Sequence, residues 1–308
     1  MSTIREVRTY RGLDDLAQLL EFASRAVAER SPLNAAWHPG DIIWSLKLNY
    51  HLRGGFRLWC SDEGIEAVAS FVDRDAILLE ARPRSEALVS EMVGWAAARV
   101  EALRSQEVPL RLSVRALEGD ISRVKTLESL GFQHTAPEGV WFRRDISLPL
   151  GERAWMAGYS VQDSRGVDPA VRAKAHRDAW NHLDHIGIEN ATSSFSTEAY
   201  LSLRSAPVYD PELDILAVAP DGAFVANCIA WADPMSGVGI FEPVGTREAY
   251  RGRGLARMVI LEGMSRLKDK GMADARVGTA HFNAPAIATY LTCGFELFDK
   301  TGWWTKVL

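Results

Sequence analysis

Cysteine is scarce in this chain. Its three copies in 308 residues, Cys60, Cys228 and Cys293, lie far apart in apolar or helical contexts without a Cys or His pair nearby. A disulfide framework and a zinc site both need ligands paired at short spacing, so neither is expected. Long apolar runs are missing as well. No stretch approaches the length that crosses a bilayer, and the first residues, MSTIREVRTY, carry charge where a signal peptide would need an apolar segment. The expectation is a cytoplasmic protein with no membrane partner. Gly (24) and Pro (13) are not in excess, which excludes a fibrous repeat or a disordered chain. An excess of positive charge is also absent: 35 Lys and Arg face 40 Asp and Glu, for a formal net charge of -5. No nucleic-acid partner is therefore expected, and any anion site must be local.

What the chain does have is enough apolar material, 47% of its residues, and enough length for two domains with a core each. Gly12 to Ala28 repeats Leu13, Leu16, Leu19, Leu20, Phe22 and Ala23 at helical spacing, and Asp41 to Leu52 is a second helical stretch. Short apolar runs at Phe56 to Cys60, Glu66 to Val72 and Ala76 to Ala81 predict a three-stranded meander. A helix over Ser85 to Leu103, a strand over Leu110 to Val114 and a helix over Asp120 to Leu130 follow, then two short strands near Gln133 and Val140. Leu148 to Met156 mixes Pro, Gly and charge without an apolar period and reads as the linker, which sets the domains at 1–150 and 151–308.

The second half repeats that order. A strand near Tyr159 precedes helices over Pro169 to Trp180 and Thr197 to Leu203 and strands over Leu213 to Val218, Ala223 to Trp231 and Gly239 to Thr246. Helix, strand, helix and two closing strands complete it. Leu127-Glu-Ser-Leu-Gly-Phe132 is echoed by Tyr290-Leu-Thr-Cys-Gly-Phe295, as expected of a duplicated domain.

The chemistry concentrates in Val244-Gly-Thr-Arg-Glu-Ala-Tyr-Arg-Gly-Arg-Gly-Leu-Ala256, where a strand runs through a glycine-bearing turn into the helix Leu255 to Lys268. Gly252 and Gly254 allow successive N–H groups to face one concavity, and the helix N-terminus adds about half a positive charge. Such a junction suits a pyrophosphate. Two glycines before a helix usually make no more than a tight turn. Here, however, Asn283-Ala-Pro-Ala-Ile-Ala-Thr-Tyr290 and Gly294-Phe295 follow on a later helix, where Asn283 can cap and Tyr290 sits two turns on.

Arg251-Gly-Arg-Gly-Leu-Ala256 together with Asn283 to Phe295 resembles the GNAT superfamily of coenzyme A-dependent acyltransferases, closely over about residues 213–308 and more loosely before. The resemblance implies an α/β (α+β) fold of two tandem GNAT-like domains, each a mixed, mostly antiparallel sheet flanked by helices. It implies acetyl-CoA as cosubstrate and no metal. The backbones of Val244 and Thr246 would hold the pantetheine, the amides of Arg251, Gly252, Arg253, Gly254, Leu255 and Ala256 the pyrophosphate, and Asn283 the cofactor's arm. Two central strands would splay to admit it.

Amide formation needs a neutral amine, a polarised thioester carbonyl and a proton for the departing thiolate. Tyr290 is the candidate acid, since a phenol keeps its proton at neutral pH. For the base, period-two alternation puts Glu242 on the face of Val244 and Thr246, although Pro243 signals a bulge that would break the register. Family members with a strand glutamate usually carry it a little further upstream, and His281 is the alternative. Trp180, His182, His185, Tyr209 and Asp233 are candidates for lining the acceptor cleft, and Arg247, Arg251, Arg253 and Arg257 for assisting the phosphates.

The first half lacks the equipment. Its junction, Leu79-Glu-Ala-Arg-Pro-Arg-Ser-Glu86, has no glycine, Pro83 removes an N–H, and Leu127 stands where Tyr290 does. The expectation is a degenerate first copy beside a catalytic second one that acetylates a small-molecule amine. A non-catalytic acyl-CoA sensor is the alternative. The residues do not decide between a monomer and a homodimer.

Overall fold

The computed structural model describes residues 3–31, 33–35, 37–48, 56–83, 85–102, 109–151 and 156–308. They form two compact units, Met1–Val140 with Phe298–Leu308, and Trp141–Leu297. The middle of the expected linker, residues 152–155, lies outside the described residues, as do the expected helix ends at 49–52 and 103 and residue 84 of the first junction.

In the first unit, β1 (Glu6–Thr9) leads into α1 (Leu13–Arg30) and α2 (Pro39–Leu48). Three strands follow, β2 (Arg57–Ser61), β3 (Gly64–Phe71) and β4 (Ala76–Ala81), then α3 (Glu86–Glu101), β5 (Arg111–Leu117), α4 (Ile121–Ser129) and β6 (Gln133–Asp145). The apolar period of α1 becomes a buried face of Leu16, Leu19, Leu20, Ala23 and Val27. β1 to β4 form the expected antiparallel meander. α3 is a crossover, so β4 and β5 pair in parallel, from Ala76 with Ser113 to Leu78 with Arg115. On its other side β5 pairs with the last strand of the chain, β12 (Glu296–Val307), in a register from Thr301 with Leu117 to Val307 with Arg111. Trp304 thereby joins Leu79, Met92, Val114 and Leu127 in the core of this unit.

Two expectations fail here in the same way. The two strands expected near Gln133 and Val140 are one strand, β6, and the two closing strands are one strand, β12. β6 carries Pro137 within its length and has β12 as its strand neighbour in the first unit. Gly302 is a close approach: His134 Nε2 fills the space its Cβ would need.

The second unit runs β7 (Ser160–Asp163), α5 (Pro169–Trp180), α6 (Thr197–Arg204), β8 (Asp214–Val218), β9 (Phe224–Asp233), β10 (Val238–Thr246), α7 (Leu255–Asp269), β11 (Asp274–Ala280) and α8 (Ala284–Thr292). Its strands are ordered β6-β11-β10-β9-β8-β7, antiparallel from β10 to β7, with β10 and β11 parallel across α7. Each unit is thus a mixed, mostly antiparallel sheet flanked by helices. Asp168, Ser196 and Asn283 cap α5, α6 and α8 with their side chains. α7 begins at Gly254, which has no side chain to cap with.

Candidate functional site

β10 and β11 stay paired for only four residues, Val238–Phe241 with Asp274–Val277. Beyond that point β10 shifts register between Phe241 and Val244 and continues along β9 alone, Val244 opposite Cys228 and Thr246 opposite Ala226. The bulge that Pro243 signals is therefore real, and it opens a gap in the ladder on the β11 side. Along that gap Thr246 Oγ1 is buried without a hydrogen-bond partner. A buried hydroxyl left in that state costs about 1–3 kcal/mol, which a ligand that bonds it would recover.

The gap opens toward the start of α7. Gly252 and Gly254 have φ of 75° and 76°, the left-handed region, and a Cβ built on either meets nothing within 4 Å. Side-chain-free backbone, an uncapped helix N-terminus and open space in front of it make a cradle for an anion. Leu255 is buried and anchors the first turn of α7 to the core. The four arginines divide. Arg247 and Arg253 stand over the ring of Tyr250, 5.9 and 5.1 Å from its centroid. Arg257 bonds the Thr292 carbonyl at 3.3 Å, and Arg251 turns away toward α5.

Tyr290 is 5% exposed, its ring edge-on to Phe142 and Phe295 with centroids 5.8 and 6.0 Å away. Its hydroxyl makes no hydrogen bond among the described residues. Burial pushes its pKa well above the ordinary phenol value, and the Glu242 carboxylate adds to the shift. Glu242 lies at the register shift, its carbonyl held by Trp231 Nε1 at 2.7 Å. His281 is exposed, its ring against Phe282. Asn283 uses its side chain locally, accepting from the Ala286 N–H at 3.3 Å and donating to Thr279 Oγ1 at 3.0 Å.

Of the residues expected to select an acceptor, Trp180, His182 and His185 cluster at the C-terminal end of α5. Trp180 Nε1 donates to His176 Nδ1 at 2.9 Å, and His185 meets Arg251. Tyr209 and Asp233 are tied into the protein's own hydrogen-bond network. The Tyr209 hydroxyl is spent on Asp214 at 2.8 Å, and Asp233 shapes the β9–β10 hairpin through the Met235 N–H and Ser236 hydroxyl, at the end of β10 opposite Thr246. The turn of the Arg251 side chain toward α5 and the Trp231 bond to Glu242 carry no signal in the sequence. No local pattern marks either one, because their partners are backbone carbonyls distant along the chain.

The matching junction of the first unit carries an ion network on its strand carbonyls. Beyond Leu78 the strands β4 and β5 also part, but Arg123 donates to the Leu79 carbonyl at 2.9 Å and Arg30 to the Ala81 carbonyl at 2.8 Å. Glu80 pairs with both arginines, and Asp120 completes the network. A groove of about 470 Å³ lies on this network, lined by Arg30, Asp120 and Arg123 together with Ala81, Ser85 and Ser122 among others.

Residues 180–295 match the model of the Acetyltransferase (GNAT) family. This segment is a GNAT domain. In fold, the chain is similar to a tandem GNAT protein from the clavulanic acid biosynthesis pathway, with a TM-score of 0.65 at 15% identity over 98% of each chain. It is also similar to a GNAT-family acetyltransferase from Colwellia psychrerythraea, with a TM-score of 0.60 at 13% identity over 98% of this chain and 99% of that one. A GCN5-related N-acetyltransferase from Sphaerobacter thermophilus gives a TM-score of 0.59 at 19% identity, over 99% and 97%. No curated protein matches the chain in sequence. The GNAT family transfers acyl groups from acyl-CoA. Among the described residues no group of three or more His, Cys, Asp or Glu is arranged to hold a metal, and no helix is long and apolar enough to cross a membrane.

Proposed function

We propose that the second unit is an N-acetyltransferase that moves the acetyl group of acetyl-CoA to the amine of a small molecule. The observation that carries this reading is the gap in the β10–β11 ladder, which ends at a glycine cradle on an uncapped helix. The amides of Gly252 to Ala256 face a diphosphate, while the Arg251 N–H is taken by the Glu248 carbonyl at 3.1 Å. The backbone of Val244 and the orphaned Thr246 hydroxyl run alongside a pantetheine, the Thr246 carbonyl being held by Arg251 Nε. Asn283 keeps α8, and with it Tyr290, in place through its cap. Acetyl-CoA supplies an activated acyl carbon.

Glu242 takes one proton from the incoming ammonium group, the amine lone pair forms a C–N bond to the thioester carbonyl carbon as the C–S bond breaks, and the second proton leaves the nitrogen to end on the released thiol. Tyr290 donates a hydrogen bond to the departing sulfur. Its raised pKa makes complete proton transfer to a thiolate uphill, so the phenol acts chiefly as a donor to developing charge. The first unit is a degenerate copy: Arg30 and Arg123 already occupy the β4 carbonyls that a pantetheine would use.

Calorimetry on the full chain tests the reading, with acetyl-CoA titrated into the parent and into Gly254→Asp, followed by thiol release with a panel of small amines. The parent binds and releases thiol, and Gly254→Asp does neither, because a carboxylate then stands at the anion cradle. Parent and variant binding equally would refute the site. Binding without release across the whole panel points to a sensor.

A further inference from the structure

Arg251 leaves the backbone immediately before Gly252, yet its guanidinium serves a different part of the fold. Nη1 donates to the His182 carbonyl at 2.7 Å and meets His185 Nδ1 at 3.0 Å. Nη2 reaches the carbonyls of Ala179 and Asn181, both at 3.4 Å. Nε donates to the Thr246 carbonyl at 3.2 Å. The partners on α5 are the kind of C-terminal carbonyls that a helix leaves unpaired, so a cation there satisfies both their hydrogen bonding and the negative end of the helix dipole. The guanidinium's fork lets one side chain reach all these groups, which an ammonium could not do.

The segment it holds is itself closed. The Ser193 N–H donates to Asn181 Oδ1 at 3.2 Å, Arg177 to the Phe195 carbonyl at 2.7 Å, and Leu183 bridges to Ile188. This segment carries Trp180, His182 and His185. Close packing of Ala179 against Gly245 seats the end of α5 on β10 beside Thr246.

From these contacts we infer that Arg251 is a positioning residue. It couples the anion cradle to the segment 179–195, so that occupancy of the cradle sets the order of the surface that receives the acceptor. An anion bound to the amides from Gly252 onward fixes the backbone from which the Arg251 stem departs. That aims the guanidinium at Ala179, Asn181 and His182. By reciprocity, an acceptor resting on an ordered 179–195 segment tightens cofactor binding by the same factor. This inference rests on the cradle binding the diphosphate of coenzyme A.

Hydrogen–deuterium exchange tests it without reference to turnover. Coenzyme A is added to the full-length parent, Arg251→Ala and Arg251→Lys, and the exchange ratio without and with ligand is read in 246–258 and in 179–195. In the parent both segments slow, 179–195 by about tenfold, within the range of ordinary site-to-site coupling. In Arg251→Ala the ratio stays high in 246–258 and drops close to one in 179–195, while Arg251→Lys, which keeps the charge and fold but not the fork, is intermediate. A purely structural role predicts faster exchange in 179–195 with the ligand ratio preserved, and that result overturns the inference. So does a parent in which coenzyme A protects 246–258 and leaves 179–195 unchanged. Absence of protection at 246–258 in the parent is a different failure, that of the cradle itself.

Discussion

Tyr290 and His176 are both buried titratable groups, and burial holds both in the uncharged state, with opposite consequences. In the proposed reaction the neutral form of Tyr290 is the useful one, and burial keeps its phenol protonated across the working pH range. Tyr290→Phe keeps the ring contacts with Phe142 and Phe295, so kcat should fall about 100-fold, the lower end of what positioned acids contribute, with coenzyme A affinity unchanged within about twofold. Steady-state kinetics and calorimetry on one preparation separate the two quantities. His176 is 5% exposed, and burial, then Arg172 and Arg177, hold its pKa well below the ordinary histidine value of 6.5. The unfolded chain therefore takes up this proton at a pH where the folded one does not. Stability is full above about pH 6.5 and is lost as pH falls below it, by up to about 1.4 kcal/mol per pH unit from this one group. His176→Gln keeps an acceptor for Trp180 Nε1 and removes the titration. Urea unfolding between pH 7.5 and 5 should then give a flatter profile than the parent, and parallel profiles would assign the pH dependence elsewhere.

The helices of the second unit that precede the site are held by a buried polar network as well as by apolar packing. Asp214 on β8, fully buried, accepts from Arg172 Nε on α5 at 2.8 Å, from Tyr200 on α6 at 3.0 Å and from Tyr209 at 2.8 Å. One carboxylate thus fixes α5 and α6 to the sheet and, through α5, places the carbonyls that Arg251 grasps. Asp214→Asn keeps the shape and leaves the Arg172 charge buried without a counter-ion. That should cost about 3 kcal/mol in denaturant unfolding, and a loss under 1 kcal/mol would mean the pair contributes little. None of this was legible in the sequence, since Arg172 and Asp214 sit 42 residues apart and each reads locally as a surface charge. The elements themselves were legible because their signals are local. Ala76–Ala81 and Pro169–Trp180 fall within the bounds that apolar period, Asp168 and Pro169 imply, and the strand–glycine–helix junction at Gly252 and Gly254 needed nothing beyond its own residues. That β6 and β12 each run on as one strand was not legible, because the strand partners that sustain them lie elsewhere in the chain.

At the scale of the whole molecule, the duplication reads as two halves in sequence, but the chain does not divide at one point. Residues 298–308 belong with the first unit, where β12 pairs along all of β5 from Leu117 to Arg111. Trp304, 3% exposed, sits in that unit's core, and exposing a buried tryptophan typically costs about 3–5 kcal/mol, a large part of the roughly 5–15 kcal/mol that holds a domain folded. A fragment of residues 1–150 would therefore keep its meander and α3 but present β5 with an open edge and a hole where Trp304 should be. The same fragment with residues 298–308 appended through a flexible linker restores both. Thermal unfolding followed by circular dichroism should give a broad, non-cooperative change for the first fragment and a sharp transition for the second. Adding Trp304→Ala to the second should lower its midpoint by several degrees, in line with the lost core contact. If residues 1–150 alone unfold as cooperatively as the extended fragment, the last strand is an accessory to the first unit's sheet, and the boundary near residue 150 is the physical one.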